Sequence, residues 1–584
     1  MNMSIFAHEK QNLNQNLFIM FSSTSALTGK MKALYATVGA AVGAGVVAAG
    51  MYLFNGSDAY VNVIPESADI VARMNVAELA DGSGLNSDEG KKILKKLTES
   101  AGADASNSKL LKRIQDDPAS LGLRLDKDAY VFADLEKGEE CGALVVGMYK
   151  QDNVKESIEM LADEVNEKMK IVEHDGMNWV EGKNKTKDFA FAYDSDMLII
   201  SFGNDAEDNV LKWKDQGSDD RYCKTERWNK LQGVGGQLAI DMNYGCIPNM
   251  KETDDMMKEM YGIRMKDLSI AMGWEIKPGE TSMTAEVYSD NERFAERMKQ
   301  GLECISNMDA VYAESVPENY LVWGGFNVHG ENLLNMLNDI ETMKQAIAKV
   351  EKEAGVKIAD FVNDLDGDMA FCVTSELQKL DIPSMYFNAQ VKNEKYLQNV
   401  LNIIKGKAPM VSQLVQKKGA DYVIAQEGET IANMGVKDGK NLFITNANAP
   451  YSKKTSALDN YMSDIKNSCQ FYIVNFPNIA KLIPTVGSKD NPDVKLAVDI
   501  LKHFAVAIVK SGTDGKCTAT LKFKNDGDYA VSIISDIYDS YMAYLDEQSK
   551  RNAELDIYEY DDADDYDYDE IDSVAVDEDF DIID

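Results

Sequence analysis

The sequence predicts an α+β protein of two tandem homologous lobes. Each lobe has two strand–helix–hairpin–helix units with a largely antiparallel sheet, and one transmembrane helix precedes both. Three observations predict this. A strand phrase, Ile64–Val76, returns without a gap as Val316–Val328, with Pro-Glu at its start and Asn-Val at its end. Shorter echoes, Leu238–Tyr244 and Phe471–Phe476, place a similar Asn at Asn243 and Asn475. An uncharged apolar run, Ala33–Phe54, stands before the first phrase. A repeat of this length outranks any single residue, because it fixes the architecture.

The elements after each phrase repeat as well. Ala129–Phe132 and Ala143–Tyr149 read as paired strands, and Val154, Ile158, Leu161 and Val165 then recur at helical spacing. Leu365–Phe371 matches Leu125–Val131, and Tyr386–Gln390 matches the second strand. Tyr193–Ser201 and Lys437–Thr445 both read as hairpins with a polar turn between apolar strands. Ser269–Gly273 with Met283–Tyr288 closes one half, and Ala505–Val509 with Thr518–Phe523 closes the other.

These signals divide the chain into residues 1–30, 31–58, 59–305, 306–546 and 547–584. The first thirty are a disordered tail or a mis-assigned extension, since Met31-Lys32 reads as a second start. Ala33–Phe54 within 31–58 is long enough to span a bilayer as a helix, and Lys30 and Lys32 put its start on the cytoplasmic side. The expectation is a single-pass cell-membrane protein with its bulk extracytoplasmic, on the periplasmic side, and the lipid bilayer as a partner. Secretion after signal cleavage near Ser57 competes with it. Residues 59–305 and 306–546 are the lobes. Residues 547–584 carry no Lys or Arg after Arg551 and read as a disordered acidic tail that a basic protein surface or divalent cations would suit.

The net charge of −36 makes nucleic-acid phosphate an unfavourable partner. The search for chemistry returns no catalytic, cofactor-binding or metal residues. The seven cysteines, at 141, 223, 246, 304, 372, 469 and 517, form no CxxC pair and read as small apolar side chains. His8, His174, His329 and His503 are isolated. No GxSxG elbow, P-loop or dinucleotide fingerprint occurs. Asp565, Asp567 and Asp569 imitate a calcium loop, but Glu570 stands where its Gly is needed; Asp364, Asp366 and Asp368 fail in the same way at Met369. The recurrent Asn75, Asn243, Asn327 and Asn475 read as residues that turn a strand into a helix, since Asn favours caps and turns.

Tyr60–Pro65 through Leu79, with Ser83-Gly84-Leu85, resembles the start of an uncharacterised envelope-protein family catalogued as domain of unknown function 4836. Phe326–Leu334, Asp366–Phe371 and Gly435–Gly439 resemble its second half. The resemblance covers roughly Tyr60 to Tyr544. It implies a secreted or membrane-attached protein of Gram-negative gut-type bacteria, with no established activity and no catalytic residues to carry over. Family members often begin with a lipoprotein signal; no Cys closely follows the apolar run here. The resulting expectation is a membrane-anchored, non-enzymatic binding or scaffolding protein, with a hydrolase-like enzyme as the alternative.

Overall fold

The computed structural model describes residues 58–561, apart from 94–112, 114–117, 136–139, 165–168, 183–186, 248–250, 356, 379–381, 393, 408–413, 427–428 and 448–455. Ten strands come from the first half: β1 Ile70–Asn75, β2 Asp128–Asp134, β3 Cys141–Gly147, β4 Lys170–His174, β5 Met177–Glu181, β6 Phe189–Tyr193, β7 Met197–Gly203, β8 Leu238–Asn243, β9 Ser269–Lys277 and β10 Glu280–Tyr288. Ten more come from the second: β11 Tyr320–His329, β12 Leu365–Leu377, β13 Pro383–Val391, β14 Val415–Lys418, β15 Asp421–Gln426, β16 Glu429–Lys437, β17 Asn441–Thr445, β18 Gln470–Asn475, β19 Phe504–Ser511 and β20 Lys516–Phe523.

All twenty belong to one antiparallel sheet. Its pairings run β4-β5-β6-β7-β3-β2-β1-β8-β9-β10, cross to β20, and continue β19-β18-β11-β12-β13-β17-β16-β15-β14. This corrects the expected pair of lobes. β10 and β20 pair from Glu280↔Lys522 to Glu286↔Lys516, so the halves share a single continuous sheet. The physical reason is the edge. A strand left at the border of each half would expose a row of unpaired N–H and C=O groups, and β10 and β20 satisfy one another. A repeated phrase reports like order in each half; it carries no signal for which edges meet.

The expectation of a membrane-spanning helix is corrected too. Among the described residues no helix is long and apolar enough to cross a membrane. The stretch expected to do so, Ala33–Phe54, lies outside them. The longest described helix, Ala530–Asp561, has the length but carries charge throughout, from Asp536 to Arg551 and beyond. The single-pass anchor, the bilayer as its partner and the cell-membrane location are therefore unsupported. That helix continues past residue 547, while 562–584 lie outside the described residues.

The helices used below are α1 Val76–Ser83, α2 Ala206–Asp215, α3 Glu226–Gly233, α4 Phe476–Val486, α5 Pro492–Leu501 and α6 Ala530–Asp561. α2 and α3 cover one face of the first half. Val210, Trp213 and Leu231 pack there with Val71, Phe132, Ala239 and Ala271. In the second half the segment around Met308–Val316 and residues Leu458 and Ile465 cover the same face, over Trp323, Phe471, Ile473 and Ile508. α1 lies against β9, where the Gly82 backbone meets the Ile276 carbonyl and leaves no room for a Cβ. α4 lies against β11, β12 and β19. Neither α1 nor α4 takes part in those two cores, so both sit over the opposite face.

Candidate binding face

The recurrent asparagines hold corners. Asn75 Oδ1 accepts the Glu78 amide at 3.0 Å and caps α1; Asn475 Oδ1 accepts the Asn478 amide at 3.1 Å and caps α4. Asn243 accepts the Gly245 amide at 2.7 Å. Asn327 differs, because β11 runs two residues further, to His329. Its side chain is buried in the sheet, where Nδ2 donates to Asp368 at 3.1 Å and Oδ1 accepts from Ser306 at 2.8 Å.

The most polar point of the interior is Asp241 on β8, with 0 % exposure. It accepts from Tyr222 at 2.8 Å, from Arg227 Nε at 2.8 Å and Nη2 at 2.7 Å, and from the Tyr288 hydroxyl. Arg227 also donates to the Ala68 and Asp69 carbonyls, at 2.7 and 3.2 Å. Burial first, then the Asp241 charge, pushes both tyrosine hydroxyls far above their ordinary range. Every member is engaged, so the cluster has no group to offer a substrate. The matching position on β18 is Ile473, which faces Trp323 and Ile508 as Asp241 faces Val71 and Ala271.

The remaining chemistry is equally quiet. Cys304, Cys372 and Cys469 are buried. Burial lifts the thiols of Cys304 and Cys469, and that of Cys246 to about 11, away from nucleophilic thiolate. His174 stacks on Trp179, 5.0 Å between centroids, and His329 sits 3.1 Å from Asp366. His503 lies 3.9 Å from Asp536, and His8 lies outside the described residues. Asp368 accepts the Asp309 and Val311 amides at 3.1 Å each, which is a loop anchor. Among the described residues no group of three His, Cys, Asp or Glu gathers to hold a metal; Asp565–Asp569 lie outside them. A cleft of about 220 Å³ is lined by Tyr312, Asn388, Lys437, Asn441, Phe443 and Thr445. It is smaller than the roughly 300–1,000 Å³ usual for ligand pockets. Within it Tyr312 donates to Asn441 at 3.2 Å, and Lys437 lies 5.3 Å above the Phe443 ring.

The sheet itself carries the strongest feature. Side chains alternate between its faces, and register assigns each one. Arg73, Asp241, Glu275, Lys277, Glu280, Glu286, Lys510, Lys516 and Lys522 all fall on the face that α2 and α3 cover. Along the middle of the sheet these charges pair, as in Lys277–Glu280 at 2.9 Å and Lys230–Glu286 at 2.5 Å. The opposite face has no Asp, Glu, Lys or Arg from β1 through β8, β9, β10, β20, β19 and β18 to β11. It presents Ile70, Ala72 and Met74, then Ile240 and Met242, Met272 and Trp274, Met283, Ala285 and Val287, Ala519 and Leu521, Ala507 and Val509, and Tyr472 and Val474.

None of those side chains is fully buried. Val287 is 39 % exposed and Val509 38 %; farther out on the same face, Val131 is 41 % exposed and Met385 49 %. Eight strands at about 4.8 Å spacing make this face roughly 34 Å wide. Among the described helices α1 approaches it at β9 and α4 at β11 and β19, with β10 and β20 as the floor between these two walls. Sequence reading missed this face. Its signal was present as strict alternation, Lys516-Thr518-Thr520-Lys522 against Cys517-Ala519-Leu521-Phe523. Alternation says that an apolar face exists, and not whether anything covers it.

These features define a class, an α+β protein whose one wide antiparallel sheet is charged on one face and uncharged on the other. The chain belongs to the family described as Domain of unknown function (DUF4836), whose model matches residues 60–527. No curated protein matches. Among solved structures the chain resembles three crystal forms of TP0453. Form I aligns at 12 % identity and TM-score 0.23, over 43 % of this chain and 88 % of that one. Form III aligns at 13 % and 0.24, over 42 % and 88 %, and form IV at 12 % and 0.24, over 39 % and 79 %. A likeness of that size leaves the description of the fold to the chain's own strand pairing.

Proposed function

We propose that this protein is a non-catalytic binder of elongated apolar ligands, of the acyl-chain class, on the uncharged face of its sheet. One observation carries the reading. In a chain of net charge −36, eight adjacent strands keep every charge off a face that remains partly open to water. Apolar patches of more than a few hundred Å² are rare on soluble proteins unless something docks there.

The chemistry of the occupant is set by the lining. The face is aliphatic and rich in Met, whose flexible side chain adapts to ligands without fixed shape. It offers no charge and few donors, so it cannot orient a polar substrate. The floor is nine residues of β10 long, about 30 Å at ~3.4 Å per residue. The walls at α1 and α4 stand where a second sheet would need to stack at ~10 Å, which favours a flexible chain over another sheet.

Titration of the full-length protein with a fluorescent polyunsaturated fatty acid tests this. Saturable binding is expected in the wild type. Val287→Glu and Val509→Glu put charge on exposed positions of the floor and its border, so the fold should persist. Each variant should weaken binding at least about tenfold, since each buried CH₂ is worth about 0.8 kcal/mol. Absence of saturable binding, or equal binding by both variants, rejects the reading.

A further inference from the structure

The cleft between β13, β17 and the segment before β11 lies on the helix-covered face of the sheet, opposite the uncharged one. Register gives its residues counterparts in the first half. β12, β13 and β17 pair as β2, β3 and β7 do, so Asn388 stands where Val145 does and Asn441 where Met197 does. Carrying the gapless phrase alignment back along the chain sets Tyr312 on Tyr60 and Ser315 on Val63. In the first half Val63, Val145 and Met197 are at most 5 % exposed, in the core that Val210 and Trp213 of α2 complete. In the second half Ser315, Asn388 and Asn441 replace all three with polar side chains, and each is half-buried. The stretch that follows β17 as α2 follows β7, residues 448–455, lies outside the described residues; its sequence contains neither of the residue types, Val and Trp, that α2 inserts.

We propose that this cleft binds one pyranose ring, as a free monosaccharide or as the end unit of a glycan. Polar side chains set in a recess lose water and need partners in its place. Tyr312 donates to Asn441 Oδ1, which leaves Asn441 Nδ2 to donate into the cleft. Among the described residues none hydrogen-bonds the side chain of Ser315 or Asn388. A hydroxyl and two amides both donate and accept. Neighbouring sugar hydroxyls, each a donor and an acceptor, match that set. Lys437 and Asp438 at the rim bring one charge of each sign, so the lining favours a neutral ligand over an acid. Tyr312 and Tyr386 supply apolar surface for the ring C–H groups. The volume of about 220 Å³ equals that of about seven waters, room for one ring with its hydroxyls and not for two.

Saturation-transfer NMR titration of the full chain is the test, with glucose, galactose, mannose and N-acetylglucosamine as probes. At least one should bind saturably, with a Kd of about 1 mM or tighter. Tighter binding of maltotriose than of glucose, or of chitotriose than of N-acetylglucosamine, assigns the cleft to a glycan end; equal or weaker binding assigns it to the free sugar. Asn388→Val with Asn441→Met installs the first half's own residues. It should weaken binding at least tenfold while the melting temperature holds. Ser315→Val, outside the sheet, should weaken binding as well and stands alone if the double variant does not fold. Val287→Glu, on the other face, should leave sugar binding unchanged. No saturable binding of any probe, as when the chain's own residues fill the cleft, or undiminished binding by the variants, overturns the proposal. Glucuronate bound at least tenfold tighter than glucose also overturns it, because Lys437 would then be selecting an acid.

Discussion

Asp241 and Ile473 occupy the same place in two halves of one sheet, and they show what a single residue decides. Around Ile473 the space is filled by Trp323, Phe471 and Ile508, whereas around Asp241 it is filled by Arg227 and two tyrosines. A buried ion pair is costly to break and often cheap to replace as a unit. Asp241→Ala strands the Arg227 guanidinium and two hydroxyls, and should cost about 3–5 kcal/mol in urea unfolding. Asp241→Ile with Arg227→Met should recover most of that loss. A double variant as unstable as the single one would show that the tyrosine hydroxyls, rather than the charge, need the carboxylate. The asparagines show the limit of legibility at this scale. Asn before a helical run marks a cap, and Asn75 and Asn475 are caps. Asn327 carries the same phrase but sits inside a longer strand. Strand length depends on partners distant in sequence, here Asp366–Asp368 on β12, which the phrase itself does not contain.

Elements decide where the halves join. β20 lies between β10 and β19 and pairs with both, so its backbone donors serve two ladders. Proline at such a position removes a ladder hydrogen bond. The wild type should melt in one transition by calorimetry, and Thr518→Pro should split it into two as the halves uncouple. A single unsplit transition in the variant would show that other contacts hold the halves together. The outer strands are finished differently. β4 carries Lys170 and Glu173, and β14 carries Lys417 and Lys418, charges that discourage further strand addition. Individual strands and hairpins were legible from alternation, including both closing hairpins at Ser269–Tyr288 and Phe504–Phe523. Their assembly was not, because β10 and β20 lie more than two hundred residues apart and their pairing leaves no local pattern. The candidate face was hidden for the same reason. Its side chains come from strands scattered between β1 and β20, and their openness depends on what distant parts of the chain lay over them.

Across the whole molecule, deeply placed tyrosines couple stability to alkaline pH. Burial pushes the Tyr320 hydroxyl up to about 12, and it pushes Tyr60, Tyr130, Tyr222, Tyr288 and Tyr312 further still. An unfolded tyrosine titrates near 10. Each group therefore binds its proton more tightly when folded. The stability this contributes is complete below about pH 10 and is lost as pH rises from there towards the folded values. The affected residues lie in both halves: Tyr222 and Tyr288 around Asp241, Tyr312 and Tyr320 in the second-half core. One continuous sheet should transmit that loss to the whole molecule. Ultraviolet titration of tyrosinate should then show the exposed tyrosines ionising first, and the buried set ionising together with loss of the circular-dichroism signal. Smooth ionisation of every tyrosine near pH 10 with the fold intact would mean that water reaches these hydroxyls, and that the two cores are looser than their packing shows.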